Sequence, residues 1–381
     1  MEYRKIGKTN MSASIIGLGT EYLDNQPYSV VEKTIHAALE HEINIMDLFM
    51  PGDTVRANIG KALKGKRDKM LIQGHIGSTD LNDQYDISRD LNICKQYFEN
   101  LLRNLDTDYI DLGMLCFMDS EEDLSLIFTN GIVDYALELK QKGIIRAIGA
   151  SSHNPLVAKK LVEKGILDLL LFSINPAFDM TPADAYVLST FDDSFADQQY
   201  ESIDPRRAEL YKVCEQNEVS ITVMKTLGGG RLLTAEHSPF KKPLSVSQCI
   251  HYALTRPAVV STLIGCQSHK QVEEAIAYLH QTDEERDYTA VIAGYQGDFK
   301  GNCVYCNHCQ PCPVNIDIAM VNKYLDIASL NETQIPPSIR QHYLSLSAHG
   351  SDCIACGSCE EKCPFSVPII DRMAKAGSLF E

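Results

Sequence analysis

The sequence predicts an α/β protein: a (β/α)8 barrel over residues 1–285, followed by a small cysteine-rich unit over residues 286–381. Three observations carry that expectation. Eight short apolar runs alternate with amphipathic segments in the first 280 residues. Eight of the 13 cysteines crowd between Cys303 and Cys363. Between these regions, QTDEERDYTAVIAGYQGDFK (281–300) is polar and irregular, which sets the boundary near residue 285.

The strand candidates are rich in branched apolar residues, as a strand buried on both faces requires. In order they are SIIGLG (14–19), INIMD (43–47), MLIQGH (70–75), YIDLGMLC (109–116), IRAIGAS (145–151), LDLLLFS (167–173), VSITVM (219–224) and VVSTLIG (259–265). Between them lie segments with apolar residues at helical spacing, among them SVVEKTIHAALEHE (29–42), SRDLNICKQYFENLLRNL (88–105) and HKQVEEAIAYLH (269–280). Eight strand–helix alternations point to a TIM-type barrel. A doubly wound open sheet is the alternative, but no G-x-G-x-x-G follows the first strand. The acidic stretch 177–207 follows the sixth strand, and a loop there either covers the pocket or only decorates the rim.

Composition narrows the function classes. A formal charge of −16 disfavours nucleic acid and anionic membrane surfaces, which need basic patches. No apolar run approaches 18 residues, and the N-terminal stretch lacks the apolar core of a signal peptide. A cytoplasmic protein acting on a small molecule is the expectation. In that compartment, dense cysteines indicate metal or clusters rather than disulfides.

Two motifs concentrate the thiols. CIACGSCEEKCP (353–364) is C-x2-C-x2-C-x3-C-P, and CVYCNHCQPCP (303–313) is one residue shorter before its last cysteine. The first spacing wraps three thiolates around one [4Fe–4S] cube while the fourth ligates the neighbouring cube. The assignment is therefore Cys303, Cys306, Cys309 and Cys363 for one cluster, and Cys353, Cys356, Cys359 and Cys312 for the other. Paired four-cysteine zinc sites are the alternative, although zinc knuckles leave a longer loop between C-x2-C pairs. His308 lies inside the first motif, where it could tune a cluster by hydrogen bonding.

Several segments together resemble the aldo/keto reductases, in the bacterial branch with a C-terminal ferredoxin-like, mainly helical iron–sulfur domain. They are YRKIGKTNMSASIIGLGT (3–20), DTDYIDLGML (106–115), IRAIGASSHNP (145–155), VMKTLGGGRLL (223–233), LSVSQCIHYALTRPAVVSTLIGCQS (244–268) and the two cysteine motifs. The resemblance implies reduction of a carbonyl by NADPH, with a tyrosine as acid tuned by a lysine and an aspartate, and a histidine orienting the substrate. The aspartate is present as Asp47. No tyrosine occurs between Tyr28 and Tyr85, His75 stands at the lysine position, and Cys116 stands at the histidine position. The expected pocket is therefore Asp47, His75 and Cys116, a set that also offers donor types for a mononuclear metal. Arg56 is either a partner for a substrate carboxylate or a solvated helix residue. Cys94, Cys214 and Cys249 fall in helical patterns and read as packing.

The same resemblance marks nucleotide positions. Ser151 is kept, but Ser152 follows it where the family clamps the nicotinamide with Asn. Leu171 stands in for a glutamine, with Asn175 nearby. Lys225, Thr226, Leu227 and Gly228 keep the pyrophosphate loop. Gln271 and Ala275 stand where the 2′-phosphate is gripped, leaving Lys270 as a partial substitute. NADP(H) is thus implied with an eroded signature. Hydride chemistry and one-electron clusters couple only through a flavin or a radical-tolerant substrate, and the sequence shows neither.

The leading expectation is an iron–sulfur oxidoreductase whose clusters exchange electrons with ferredoxin or a similar carrier. Two alternatives stay open: a lyase or isomerase with His75 as base and structural clusters, and an inactive barrel serving electron transfer.

Overall fold

The computed structural model describes residues 1–381 apart from 82–84, 186, 188–195, 197–202 and 293–300. A hairpin of β1 (Tyr3–Lys5) and β2 (Ser12–Ser14) comes first. The parallel strands β3 (Ile16–Gly19), β4 (Ile45–Leu48) and β5 (Leu71–Ile76) follow. A second small hairpin, β6 (Ser78–Thr79) and β7 (Asp86–Ile87), leaves the end of β5. Then come β8 (Ile110–Leu115), β9 (Ile145–Ser152), β10 (Leu169–Ser173), β11 (Ser220–Met224) and β12 (Val259–Gly265). Strands β3, β4, β5, β8, β9, β10, β11 and β12 pair in that order and close on β3. Each of the eight apolar runs supplies one barrel strand.

Side-chain alternation along the strands fills the barrel. Ile45, Leu112, Met114, Ala147, Leu169, Leu171, Val260 and Leu263 form the inner core, and Ile6 and Ala13 from the first hairpin join it. Burying each larger member contributes about 1.5–3 kcal/mol. Level with Leu112 and Leu171 of this core, Gln73 Nε2 donates to Thr222 Oγ1 across the interior at 3.1 Å, so the polar pair satisfies itself. Gly74 on β5 is small for a reason: a Cβ there would meet Leu101 Cδ2 at 2.7 Å. That lets helix Leu91–Leu105 close on the strand.

At the strand starts, Asp111 is fully buried yet well paired. It accepts from Arg67 Nη2 (2.9 Å), Arg146 Nη1 (2.9 Å) and the Ile72 amide (3.0 Å). Asp111→Ala is expected to destabilise the fold by about 3 kcal/mol, because it strands a half-buried guanidinium and a strand amide. Urea unfolding checks it; a change within 0.5 kcal/mol, the ordinary range for a surface residue, would show the cluster to be peripheral.

The C-terminal part carries helices Ile318–Ala328, Pro337–Leu344 and Ile369–Phe380. They pack together through the Tyr343–Phe380 ring stack at 4.3 Å and the Arg372–Asp326 pair at 2.6 Å. The buried core runs without a break from the barrel's outer layer into these helices. Gln216 Nε2 donates to Ile327 O at 2.9 Å, Arg256 Nη2 donates to Val304 O, and Tyr288 donates to the same carbonyl at 3.1 Å. Gln216 and Arg256 immediately precede β11 and β12, so this fastening lies at the N-terminal ends of the strands.

Of the acidic stretch 177–207, the beginning lies in the short helix Pro176–Met180 and the end opens helix Pro205–Gln216. Most of the rest lies outside the described residues, and with it the expectation of a cover over the pocket. Among the described residues, no helix is long and apolar enough to cross a membrane.

Candidate active site

One cavity of about 420 Å³ opens at the C-terminal ends of the strands, the face on which barrels build their sites. Alternation puts Ile45 and Asp47 inward on β4, Gln73 and His75 inward on β5, and Leu112, Met114 and Cys116 inward along β8. Asp47, His75 and Cys116 therefore share the top layer, on neighbouring strands, and all three line the cavity.

His75 Nε2 donates to Asp47 Oδ1 at 2.8 Å, and the two side chains are 2% and 9% exposed. Burial alone would lower the imidazole pKa; the Asp47 carboxylate, helped by Cys116, more than reverses this and raises it to about 10. His75 is thus an imidazolium at neutral pH. Its Nδ1 is buried with no hydrogen-bond partner among the described residues. A buried donor without an acceptor is costly unless a ligand supplies one.

The other sequence candidates divide. Ser151, Lys225, Thr226 and Leu227 line the same cavity, and Thr226 Oγ1 is a second buried atom without a partner. Ser152, Asn175, Gly228 and Lys270 are not among its lining residues. The Ser152 hydroxyl donates to Met118 O at 2.6 Å. The Asn175 side chain caps the helix at Pro176–Met180 and donates to Lys225 O at 2.9 Å. Gln267 and Gln271 face the cavity where Lys270 does not. Even the Ser151 hydroxyl is engaged, accepting from the Phe117 amide at 2.8 Å.

Arg56 departs from both readings. It is fully buried, donates to Met50 O (3.0 Å) and Tyr97 O (3.1 Å), and does not line the cavity. Its role is to tie helix Asp53–Ala62 to helix Leu91–Leu105. Cys94, Cys214 and Cys249 are fully buried, as packing residues should be.

Several lining residues escaped the sequence reading. Gly77, with φ +98°, turns the chain out of β5 into the β6–β7 hairpin, a backbone state that favours glycine. That turn brings Tyr85 back over the pocket, with its hydroxyl 3.6 Å from Cys116 Sγ and its ring edge-on to Phe49 at 5.4 Å. Burial and the neighbouring Cys116 push the phenol pKa up, so Tyr85 stays protonated. His153, just beyond β9, also lines the cavity and bonds through Nδ1 to Asp119 Oδ2 at 3.0 Å. No local spacing links Tyr85 to Cys116 or His153 to Asp119; the signal is only that each sits a few residues past a barrel strand.

Among the described residues, no three His, Cys, Asp or Glu side chains converge closely enough to hold a metal ion. Asp47, His75 and Cys116 are therefore not a metal site as they stand. The thiols of the C-terminal motifs are nonetheless neighbours. Cys309, Cys312, Cys353, Cys356 and Cys359 border one small cavity walled by Ile316, Ile318, Ile370 and Met373. Burial raises the Cys306 thiol pKa, and Cys363 adds to the rise. His308 Nε2 pairs with Asp287 at 3.2 Å.

A model of the aldo/keto reductase family matches residues 15–245, more than half of the chain. The chain belongs to the aldo/keto reductase family. It is 24% identical over 297 residues to the uncharacterized oxidoreductase YqkF of Bacillus subtilis, covering 72% of this chain and 90% of that protein. Over 166 residues it is 32% identical to the aldo-keto reductase YhdN of the same organism, spanning 40% of this chain and 47% of YhdN. In fold it matches the holo form of aldo-keto reductase AKR11C1 from Bacillus halodurans with a TM-score of 0.60 at 21% identity, covering 77% of this chain and 96% of that one. This aldo/keto reductase thus carries sequence beyond what those relatives share with it.

Proposed function

We propose that the protein is an oxidoreductase acting on a small carbonyl or hydroxy compound, with the Asp47–His75 pair as its proton-transfer centre. One observation carries this reading: a buried imidazolium in the cavity lining is fixed at Nε2 by a carboxylate and has no hydrogen-bond partner at Nδ1 among the described residues. That donor meets the need that the missing tyrosine would meet. It protonates a carbonyl oxygen as the carbon is reduced, a contribution of about 10²–10⁴-fold when well placed. Cys116 and Tyr85 bracket the same point from the neighbouring strand and hairpin. Phe49, Phe117 and Leu171 give the cavity apolar walls that exclude water.

Lys225, Thr226, Leu227 and the left-handed Gly229 and Gly230 would hold the nucleotide, and the Thr226 hydroxyl, buried without a partner among the described residues, fits such a role. The fit is partial, because Ser151 and Ser152 are committed to the backbone and Lys270 stands outside the cavity. Bound NADPH would supply the hydride. Ser152 and Asn175 then act from behind, fixing the loops that line the cavity rather than touching the ligand.

In residues 286–381, taken as a ferredoxin-like domain, the two cysteine motifs would hold two [4Fe–4S] clusters. Cys303, Cys306, Cys309 and Cys363 would ligate one, and Cys312, Cys353, Cys356 and Cys359 the other. The shared cavity bordered by Cys312, Cys353, Cys356 and Cys359, with Cys309 beside them, supports the cross-ligated set. Such clusters supply single electrons, exchanged with ferredoxin or a similar carrier in the cytoplasm.

The site of fastening favours a second reading of the clusters, in which they stabilise or sense rather than feed the pocket. Gln216 and Arg256 anchor the C-terminal unit at the strand starts, whereas Gly265 at the end of β12 lines the cavity. Anaerobic purification with iron, sulfide and zinc counting tests the ligand assignment, and NADPH titration by fluorescence tests the nucleotide. About eight irons per chain are expected for two cubes. Zinc in place of iron would overturn the clusters, and no nicotinamide binding would overturn the hydride reading.

A further inference from the structure

The cavity has a second histidine–carboxylate pair that the carbonyl-reducing role does not use. His153 and Asp119 are 6% and 7% exposed, and the imidazole lines the cavity. Nδ1 is engaged by Asp119 Oδ2, which leaves Nε2 as the nitrogen without a hydrogen bond among the described residues. Burial works against the Asp119 carboxylate, but the hydrogen bonds from His153 and Ser152 overcome it and hold the group below the usual carboxylate range. Asp119 therefore stays ionised and holds the ring.

The loop that presents Asp119 is built under strain. Phe117 has φ +57°, a left-handed conformation that a bulky residue adopts only when its surroundings impose it. Three contacts do so. Its amide donates to Ser151 Oγ, its carbonyl accepts from Arg89 Nη2 at 2.9 Å, and the Met118 amide donates to Ser151 O at 2.7 Å. Asp119 Oδ1 already accepts from the His153 amide at 2.6 Å, and the Asp119 carbonyl accepts from Asn154 Nδ2 at 3.0 Å. Those two bonds suffice to pin the loop. The additional ring bond at Oδ2 serves the imidazole itself.

The barrel order β5, β8, β9 puts His75 and His153 on either side of Cys116. Each ring has one nitrogen on a carboxylate and the other without a hydrogen-bond partner among the described residues. A single reduction of a carbonyl needs one proton donor, and here there are two independent proton-transfer groups facing one cavity. We infer that His153 is a second proton-transfer residue, and that the site takes small hydroxyketones, exchanging the proton on the carbon next to the carbonyl. In this step the C–H bond breaks and its proton goes to His153 Nε2. The electron pair forms the carbon–carbon double bond of an enediol, while the carbonyl oxygen takes a proton from His75. The reverse step returns a proton to carbon. Nothing is oxidised or reduced overall, and no bound cofactor takes part. The inference shares His75 with the reading above but not the hydride step.

The test uses the full chain in D₂O without nicotinamide, with dihydroxyacetone, hydroxyacetone and fructose as probes and proton NMR as the readout. A cavity of about 420 Å³ accommodates all three. Deuterium is expected to enter carbon-bound positions beside the carbonyl faster than in buffer. His153→Gln should slow this by about 100-fold. Asp119→Asn, which keeps neutral bonds to the backbone and to Ser152, should slow it by about tenfold. In His153→Ala, added imidazole should restore exchange, a rescue that a merely structural histidine would not show. No exchange above buffer with any probe, or exchange unchanged in His153→Gln, overturns the inference. If NADPH-dependent reduction persists in either case, the reductase reading stands without it.

Discussion

Asp47→Asn is expected to lower carbonyl turnover at pH 8 by about 10²–10⁴-fold, the range for losing a positioned acid. The reason is a reversal of sign at His75. With the carboxylate present, the imidazole is charged up to about pH 10, so turnover that depends on the acid form falls only as pH rises through that value. Without it, only Cys116 is left to oppose burial, and burial, the largest influence, drives the pKa down. The alkaline limb of the profile should therefore move down from near pH 10. Stability follows the same linkage. Because the folded-state pKa lies above the unfolded one, this pair stabilises fully below pH 6.5 and the contribution is lost as pH rises through about 10. A variant that keeps its rate and its alkaline limb would remove His75 from the proton-transfer role.

Tyr85→Phe is expected to cost about tenfold in turnover with little change in melting temperature. Its hydroxyl bonds only to Cys116 among the described residues, and the residue is 39% exposed, so the fold gains little from it. The ring contact with Phe49 survives the substitution. Cys116→Ala should behave alike in kind, because the thiol touches the Tyr85 hydroxyl and faces His75. Loss of activity matched by an equal loss of stability in the alanine variant would make Cys116 a packing residue. Comparing kcat and KM separates positioning of the substrate from proton delivery.

The barrel was legible because its strands are buried on both faces and read as continuous apolar runs, seven of the eight ended by a residue at the pocket. Asp47, His75 and Cys116 each end such a run, and strand alternation brought all three into one layer. Tyr85 and His153 were not legible, since their places depend on a glycine-directed hairpin and a left-handed Phe117. Neither leaves a periodic trace. Arg56 reads as a surface residue on an amphipathic helix, yet two carbonyls from neighbouring segments bury it. Ser152 and Asn175 carry the right atoms for a ligand but spend them on Met118 and on a helix cap. Position along a strand reports where a side chain is, whereas hydrogen-bond partners decide what is left for a ligand.

The central claim is that Asp47 keeps His75 charged in the cavity, and a ¹⁵N-histidine NMR titration of the full chain measures this directly. With His75→Gln used to assign the signal, the His75 ring nitrogens are expected to remain those of an imidazolium through pH 9 and to titrate near pH 10. Titration at or below pH 6.5 would contradict the account and leave the pocket without its acid.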